Sequence, residues 1–274
     1  LDSVREPLTP LVLWTDNRAE QIADELAAFT NSPAFCERTR QAGFSGQCAP
    51  VKWRWFQRHE PALWARTSRI ATISDYLTQA LTGEWVGDAG TAALLGALDP
   101  RTVGWWDESL GQFGVTRWQL SDPLRPGTSG LHTTPAAARL LDLPVRIPFA
   151  VGGLDHQMAA LGAGVGASAE ASLSTGTVLA AATLTTLPEW RPGCLLCPDV
   201  QPGRFTRLAF DPDGAGELER LQRRHFPERG LGELISAAAS EAGSGSPGLL
   251  EIRALLESMA DRQAVLLRRI AEKG

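Results

Sequence analysis

Asp155 is the residue whose type and setting best suit chemistry. It follows Gly152-Gly153-Leu154 and precedes His156-Gln157. The apolar run Ile147-Pro148-Phe149-Ala150-Val151 before it reads as a strand, and the small-residue segment from His156 to Gly164 after it reads as a helix. A carboxylate just past a strand end lies on the face where open α/β sheets form clefts, and there it can accept a proton. The same residue can equally cap the helix beginning at His156, a role worth about 1 kcal/mol and without chemistry. Local pattern does not choose between the two.

Two further constellations have double readings. Thr175-Gly176-Thr177 is either a plain hairpin tip or a tight loop whose N–H groups and hydroxyls receive phosphate oxygens. Trp14-Thr15-Asp16-Asn17-Arg18 places an aromatic face beside a carboxylate and a guanidinium, the equipment with which proteins hold sugars. Its bland alternative has Trp14 in the core and Asp16 capping the next helix. Cys194-Leu195-Leu196-Cys197 lacks the second ligand pair that zinc requires, so these thiols are read as packing in a loop or strand and no metal site is expected.

Other motifs fail on their own physics. The P-loop and nucleophile-elbow patterns are absent, and Pro61 interrupts the zinc-protease-like start at His59-Glu60. Gly162-Ala163-Gly164-Val165-Gly166-Ala167 fits a loose dinucleotide fingerprint, but the helix precedes it and the strand follows, the reverse of what that site needs.

The elements that must position these residues alternate between helix and strand. Leu11 to Trp14 reads as a short buried strand, Asn17 to Phe29 as an amphipathic helix, and the stretch onward to Pro50 as loop. Helix is expected over Val51 to Arg66 with a break at Pro61, over Ser74 to Leu81 closed by Gly83, over Asp88 to Leu98, over Trp105 to Phe113 and over Pro135 to Leu141. Strands are expected at 171–174, 178–183 and 205–210, helices at 217–226 and 231–241, a Gly/Ser-rich linker over Ser240 to Gly248, and a long final helix to Lys273. A composition shift near Gly162–Ala167 puts a domain boundary after residue 164.

The 274 residues suit two domains or one large α/β domain, and the 43% hydrophobic and 21% charged composition is that of a soluble globular chain. A net charge of −5 argues against a nucleic-acid surface, since no basic excess exists to neutralise phosphates. No apolar stretch reaches the roughly 18–20 residues of a membrane span. The amino end resembles no secretory leader, and four cysteines are too few for a disulfide scaffold, so the cytoplasm is the expected compartment. Oligomeric state stays open, a homodimer included.

Taken in order, several segments resemble the FGGY family of carbohydrate kinases, its xylulokinase-like members in particular. They are Pro10 to Arg18, Lys52 to Pro61, Asp75-Tyr76-Leu77 with Leu81-Thr82-Gly83, Gly152 to Gln157, and Leu173 to Thr177. The resemblance implies a ribonuclease H-like (actin-like ATPase) α/β fold, with a sugar-side domain over residues 1–164 and a nucleotide-side domain over 165–274. It implies ATP- and Mg²⁺-dependent phosphorylation of a small sugar or polyol, of ketose type, with Asp155 as general base. His156, Trp14, Asp16 and Arg18 then fall on the sugar side. Gly176 and Thr177 fall on the loop that meets ATP phosphates. Gly214 and Gly216 match a Gly-rich helix start near the nucleotide, where Arg220 replaces the usual Trp.

Set against the family pattern, both domains are expected to be incomplete. The family's opening phosphate loop and the sugar loop that follows it would precede Leu1, a long insertion is missing between Leu250 and Ile252, and the glycine-rich adenine site would follow Gly274. The companion expectation is therefore a truncated or degenerate homologue that binds a sugar or a protein partner without phosphoryl transfer.

Overall fold

Side-chain caps decide where several helices of the first half begin. The computed structural model describes residues 1–176, 178–240 and 246–271. In the first half a 3₁₀ turn, Glu20–Ile22, leads into α1 (Asp24–Thr30), α2 (Pro33–Thr39), α3 (Ala49–His59), α4 (Pro61–Ala65) and α5 (Ile73–Thr82). Strand β1 (Val86–Asp88), α6 (Ala89–Ala93), β2 (Leu98–Asp99), β3 (Gly104–Trp105), α7 (Asp107–Gln112), β4 (Asp122–Leu124), β5 (Leu131–His132), α8 (Pro135–Leu141), β6 (Pro148–Phe149) and α9 (Asp155–Gly162) follow. The second half holds β7 (Ala171–Thr175), β8 (Leu179–Thr185), β9 (Leu195–Pro198), β10 (Phe205–Asp211), α10 (Gly216–His225), α11 (Leu231–Ala239) and α12 (Pro247–Ile270).

Helix α5 starts with a reciprocal capping box: Thr72 accepts from the Asp75 N–H while the Asp75 carboxylate accepts from the Thr72 N–H. It stops at Gly83, whose φ of 81° closes the last turn in the left-handed region. The α6 cap is Asp88, which accepts from the Thr91 N–H at 2.7 Å. Ser32 and Thr134 cap α2 and α8, each followed by proline at the first helical position.

Two compact units divide the chain. One comprises Leu1–Met158 with Thr185–Thr206, the other Ala159–Leu184 with Arg207–Gly274. The division falls inside α9, and the boundary proposed after residue 164 lies within the second unit. In the first unit, β1 and β4 pair in parallel, β2 and β3 pair antiparallel, and so do β5 and β6. Its core gathers Ile22, Leu26, Phe35, Val51, Leu110 and Phe113. Phe29, Phe35, Phe44 and Phe113 meet there with ring centroids 5.2–6.0 Å apart, at the spacing aromatic rings favour.

In the second unit β7 and β8 form an antiparallel hairpin, Ala171 opposite Thr183 through Thr175 opposite Leu179. Strand β10 runs next to β8 in the same sheet. Helices α10, α11 and α12 close a small apolar core of Leu218, Leu221, Leu234, Leu249 and Ile252. Arg207, on β10, is fully buried and its Nη1 donates to the Ile270 carbonyl at 3.3 Å, a guanidinium placed against the negative end of α12.

Several expectations are corrected. Leu11 to Trp14 is not a strand: Leu11, Leu13 and Trp14 are 58, 56 and 52% exposed. Its carbonyls are engaged elsewhere, that of Leu13 by the Asp16 N–H and the Lys52 ammonium. The helix expected over 17–29 is split into the 3₁₀ turn and α1, and the expected loop before Pro50 contains α2, which the Ser32-Pro33 pair could have announced. The stretch from Asp88 to Leu98 is helical only to Ala93, because Gly96 turns the chain at φ 65° into β2. In Trp105 to Phe113, Trp105 belongs to β3 and the helix begins at Asp107. Only Pro148–Phe149 of the expected 147–151 strand pairs. Cys194 and Cys197 are buried and form no disulfide, Cys197 within β9, in keeping with thiols that pack in a loop or strand. The helix expected through Lys273 is described to Ile270, and the linker residues 241–245 and the last three residues lie outside the described set.

Candidate functional site

Asp155 opens α9, and Leu154 supplies the carbonyl that accepts the first helical bond, from the Met158 N–H at 2.9 Å. The Asp155 side chain is exposed, and its Oδ1 accepts from the His156 N–H at 2.7 Å. That bond pins one carboxylate oxygen against the helix start and leaves the group facing solvent. His156 is half-buried. Gln157, the next residue, is buried and points the other way, its amide donating to the Pro198 carbonyl at 2.8 Å and to Thr206 Oγ1 at 2.9 Å.

The Trp14–Arg18 segment is built on α3. Lys52, buried on that helix, donates from Nζ to the Leu13 carbonyl at 2.6 Å and to that of Trp14 at 3.3 Å. Burial holds the Lys52 ammonium below the usual lysine range, opposed by the charge of Asp16. Arg18 grips Asp16 through Nε at 3.0 Å and Nη2 at 2.7 Å, a bidentate pair. The side-chain bonds from Arg18, reinforced by its backbone N–H, pull the Asp16 carboxyl down to about 2. The guanidinium lies 5.0 Å from the Trp55 ring centre, and Trp55 in turn stacks on His59. Trp14 keeps half its surface free, so the alternative that placed it in the core does not hold. What results is an aromatic and charged platform, all within the first unit, suited to the faces and hydroxyls of a polyol.

In the second unit Gly176 meets the Gly214–Gly216 turn. The Ala215 N–H, between Gly214 and Gly216, donates to the Gly176 carbonyl at 2.7 Å. Helix α12 ties the same region: Gln263 Nε2 donates to Thr175 Oγ1 at 2.7 Å, and Arg262 donates to Asp211 Oδ1 at 3.0 Å and to the Asp213 carbonyl. Thr177 lies outside the described residues. The donor set at α10 does not fit a phosphate by itself, because Glu217 and Glu219 occupy the first turn, where their charge opposes an anion. Among the described residues no three His, Cys, Asp or Glu side chains converge on a metal position. No helix among them is long and apolar enough to cross a membrane.

A buried acidic pair sits beside α9 and escaped the sequence reading. Asp75 caps α5 and Asp88 caps α6; burial and then the neighbouring Asp88 charge raise Asp75 to about 6, against its bonds from Thr72. The readable signal was the pair of Thr-x-x-Asp and Asp-x-x-Thr caps, each framing a helix start.

The family model for the N-terminal domain of the FGGY family of carbohydrate kinases matches residues 1–162. The chain belongs to the FGGY family. Gluconokinase of Bacillus subtilis (strain 168) is 25% identical over 264 residues, 91% of this chain and 50% of its own. Xylulose kinase of Escherichia coli (strain K12) is 30% identical over 178 residues, 65% of this chain and 36% of its own. Among solved structures, xylulose kinase from Rhodospirillum rubrum superposes with a TM-score of 0.77 at 26% identity, covering 87% of this chain and 49% of that one. Gluconate kinase from Lactobacillus acidophilus superposes at 0.75 with 19% identity, a likeness of fold alone, over 87% of this chain and 49% of that one. This FGGY chain thus has the ribonuclease H-like α/β fold of sugar kinases and spans half or less of the length of these relatives.

Proposed function

We propose that this chain carries the acceptor side of an ATP-dependent phosphorylation of a small sugar or polyol, of ketose type, with Asp155 as general base. The carrying observation is the exposed Asp155 carboxylate at the start of α9, one oxygen held by the His156 N–H, inside the segment matched by the FGGY model. Trp14, Asp16 and Arg18 would hold the carbon chain and hydroxyls, and His156 would reach a hydroxyl next to the reacting one. Asp155 would orient the acceptor hydroxyl and take its proton late in the transfer. ATP with Mg²⁺ would supply the phosphoryl group and the charge that stabilises its transfer.

A second reading is favoured by the acidic first turn of α10, whose charge opposes an anion there. In it the chain retains the sugar platform and does not transfer phosphate. Consumption of ATP over a panel of ketoses, polyols and aldonates, with calorimetry on the same panel, separates the two. Under the first reading wild type turns over at least one compound, and Asp155→Asn loses about 10²–10⁴ of that rate with an unchanged melting temperature, since Asn keeps an acceptor for the His156 N–H. Full turnover by Asp155→Asn overturns the assignment. Sugar binding without turnover by the wild type establishes the second reading.

A further inference from the structure

The start of α9 is held by a closed ring of contacts through α6 and β9. Successive helical residues turn by about 100°, so Gln157, two positions after Asp155, faces inward when Asp155 faces solvent. The Pro198 carbonyl can only accept, so the edge of the Gln157 amide facing it is the NH₂ group. That places Oε1 on the side of Gly90, where it is buried without a partner among the described residues. A Cβ at Gly90 would stand 2.6 Å from this oxygen and 3.2 Å from the Leu154 Cβ, so the backbone of α6 reaches the helix start only because residue 90 is glycine. The ring closes through Cys197, fully buried on β9 next to Pro198, whose Sγ lies 3.6 Å from the Gly90 carbonyl and donates to it.

A buried amide with both donors used and its acceptor unpaired is costly to keep for stability alone, since an apolar side chain of the same shape avoids the orphaned oxygen. We propose that Gln157 is a positioning residue: by locking the first turn of α9 onto β9 and α6, it fixes the direction in which Asp155 presents its carboxylate. This deepens the kinase reading and rests on it for the role of Asp155, whereas the coupling between the two side chains is measurable without turnover.

The test is NMR of the full chain, following the His156 amide proton, which moves with pH when it is bonded to the Asp155 carboxylate. Gln157→Met keeps the volume and removes the amide. The expected result is a drop of about twofold or more in the amplitude of that pH-dependent movement, with the variant still melting cooperatively. Cys197→Ala, which loosens the ring from its far side, is expected to reduce the amplitude in the same sense by less, and serves if Gln157→Met does not fold. Where wild type turns over a sugar, Gln157→Met lowers kcat by about 10–100-fold with KM for ATP unchanged. Full amplitude in the variants overturns the proposal. Absence of turnover in the wild type counts against the kinase reading alone.

Discussion

The Lys52 ammonium donates to the main-chain carbonyl of Leu13 at 2.6 Å, a bond that spans 39 positions of sequence. Its second partner is the Trp14 carbonyl, so one buried cation shapes the turn that presents the Trp14 indole. Replacement of Lys52 by Met leaves the Trp14 carbonyl without its donor and weakens the turn. A loss of about 1–3 kcal/mol in denaturant unfolding is expected. In the same variant the Asp16–Arg18 pair survives, because its bonds are local. Unaltered stability in Lys52→Met would show the turn to be held by other means.

Asp75 gives the first unit a stability that depends on pH. Its folded-state value of about 6 lies above the ordinary 3.8, so the folded form binds the proton more tightly than the unfolded one. Its contribution is fully present below about pH 4 and is lost as pH rises through about 6, a change of about 2–3 kcal/mol. Asp75→Asn keeps an acceptor for the Thr72 N–H and removes this dependence. Urea unfolding at pH 5 and pH 7.5 should show a smaller difference for the variant than for wild type; equal differences refute the assignment.

Gly87 lies against the same carboxyl. An added Cβ would stand 1.8 Å from Asp75 Oδ1 and 2.9 Å from its Cγ, while Asp75 is held by the α5 capping box. Gly87→Ala is therefore expected to cost about 1–3 kcal/mol through overpacking. Asp75→Ala removes the obstructing atoms, so the double variant should be more stable than the sum of the single losses predicts. Strict additivity in thermal melts would place the strain elsewhere.

On α12, Gln263 reaches the tip of the β7–β8 hairpin through Thr175 Oγ1. The contact is exposed and contributes little to global stability. Gln263→Ala should raise amide exchange at Gly176 by about twofold to tenfold while the melting temperature stays put. A uniform rise across the second unit would instead mean that the bond supports the whole fold.

Local chemistry was enough to make several elements legible in the sequence. Thr72 with Asp75 begins α5 and Gly83 ends it, Thr134-Pro135 opens α8, and β7 pairs antiparallel with β8 from Ala171 opposite Thr183 to Thr175 opposite Leu179. These features depend on neighbours within a few residues, which a linear reading contains. The ordered motif segments were likewise enough to indicate the FGGY family, and Asp155 stood out as a carboxylate placed between Gly152-Gly153 and a helix start.

Only the tertiary structure decided the fate of Leu11–Trp14. An apolar run becomes a strand when another backbone offers it a ladder, and here the Leu13 and Trp14 carbonyls go to a lysine far along the chain. Nor could spacing alone show that Gln157, Gly90 and Cys197 close on one another, or that Asp75 and Asp88 share a buried setting. Those relationships arise from burial and desolvation between segments distant in sequence, whereas caps, turns and helical periodicity are written residue by residue.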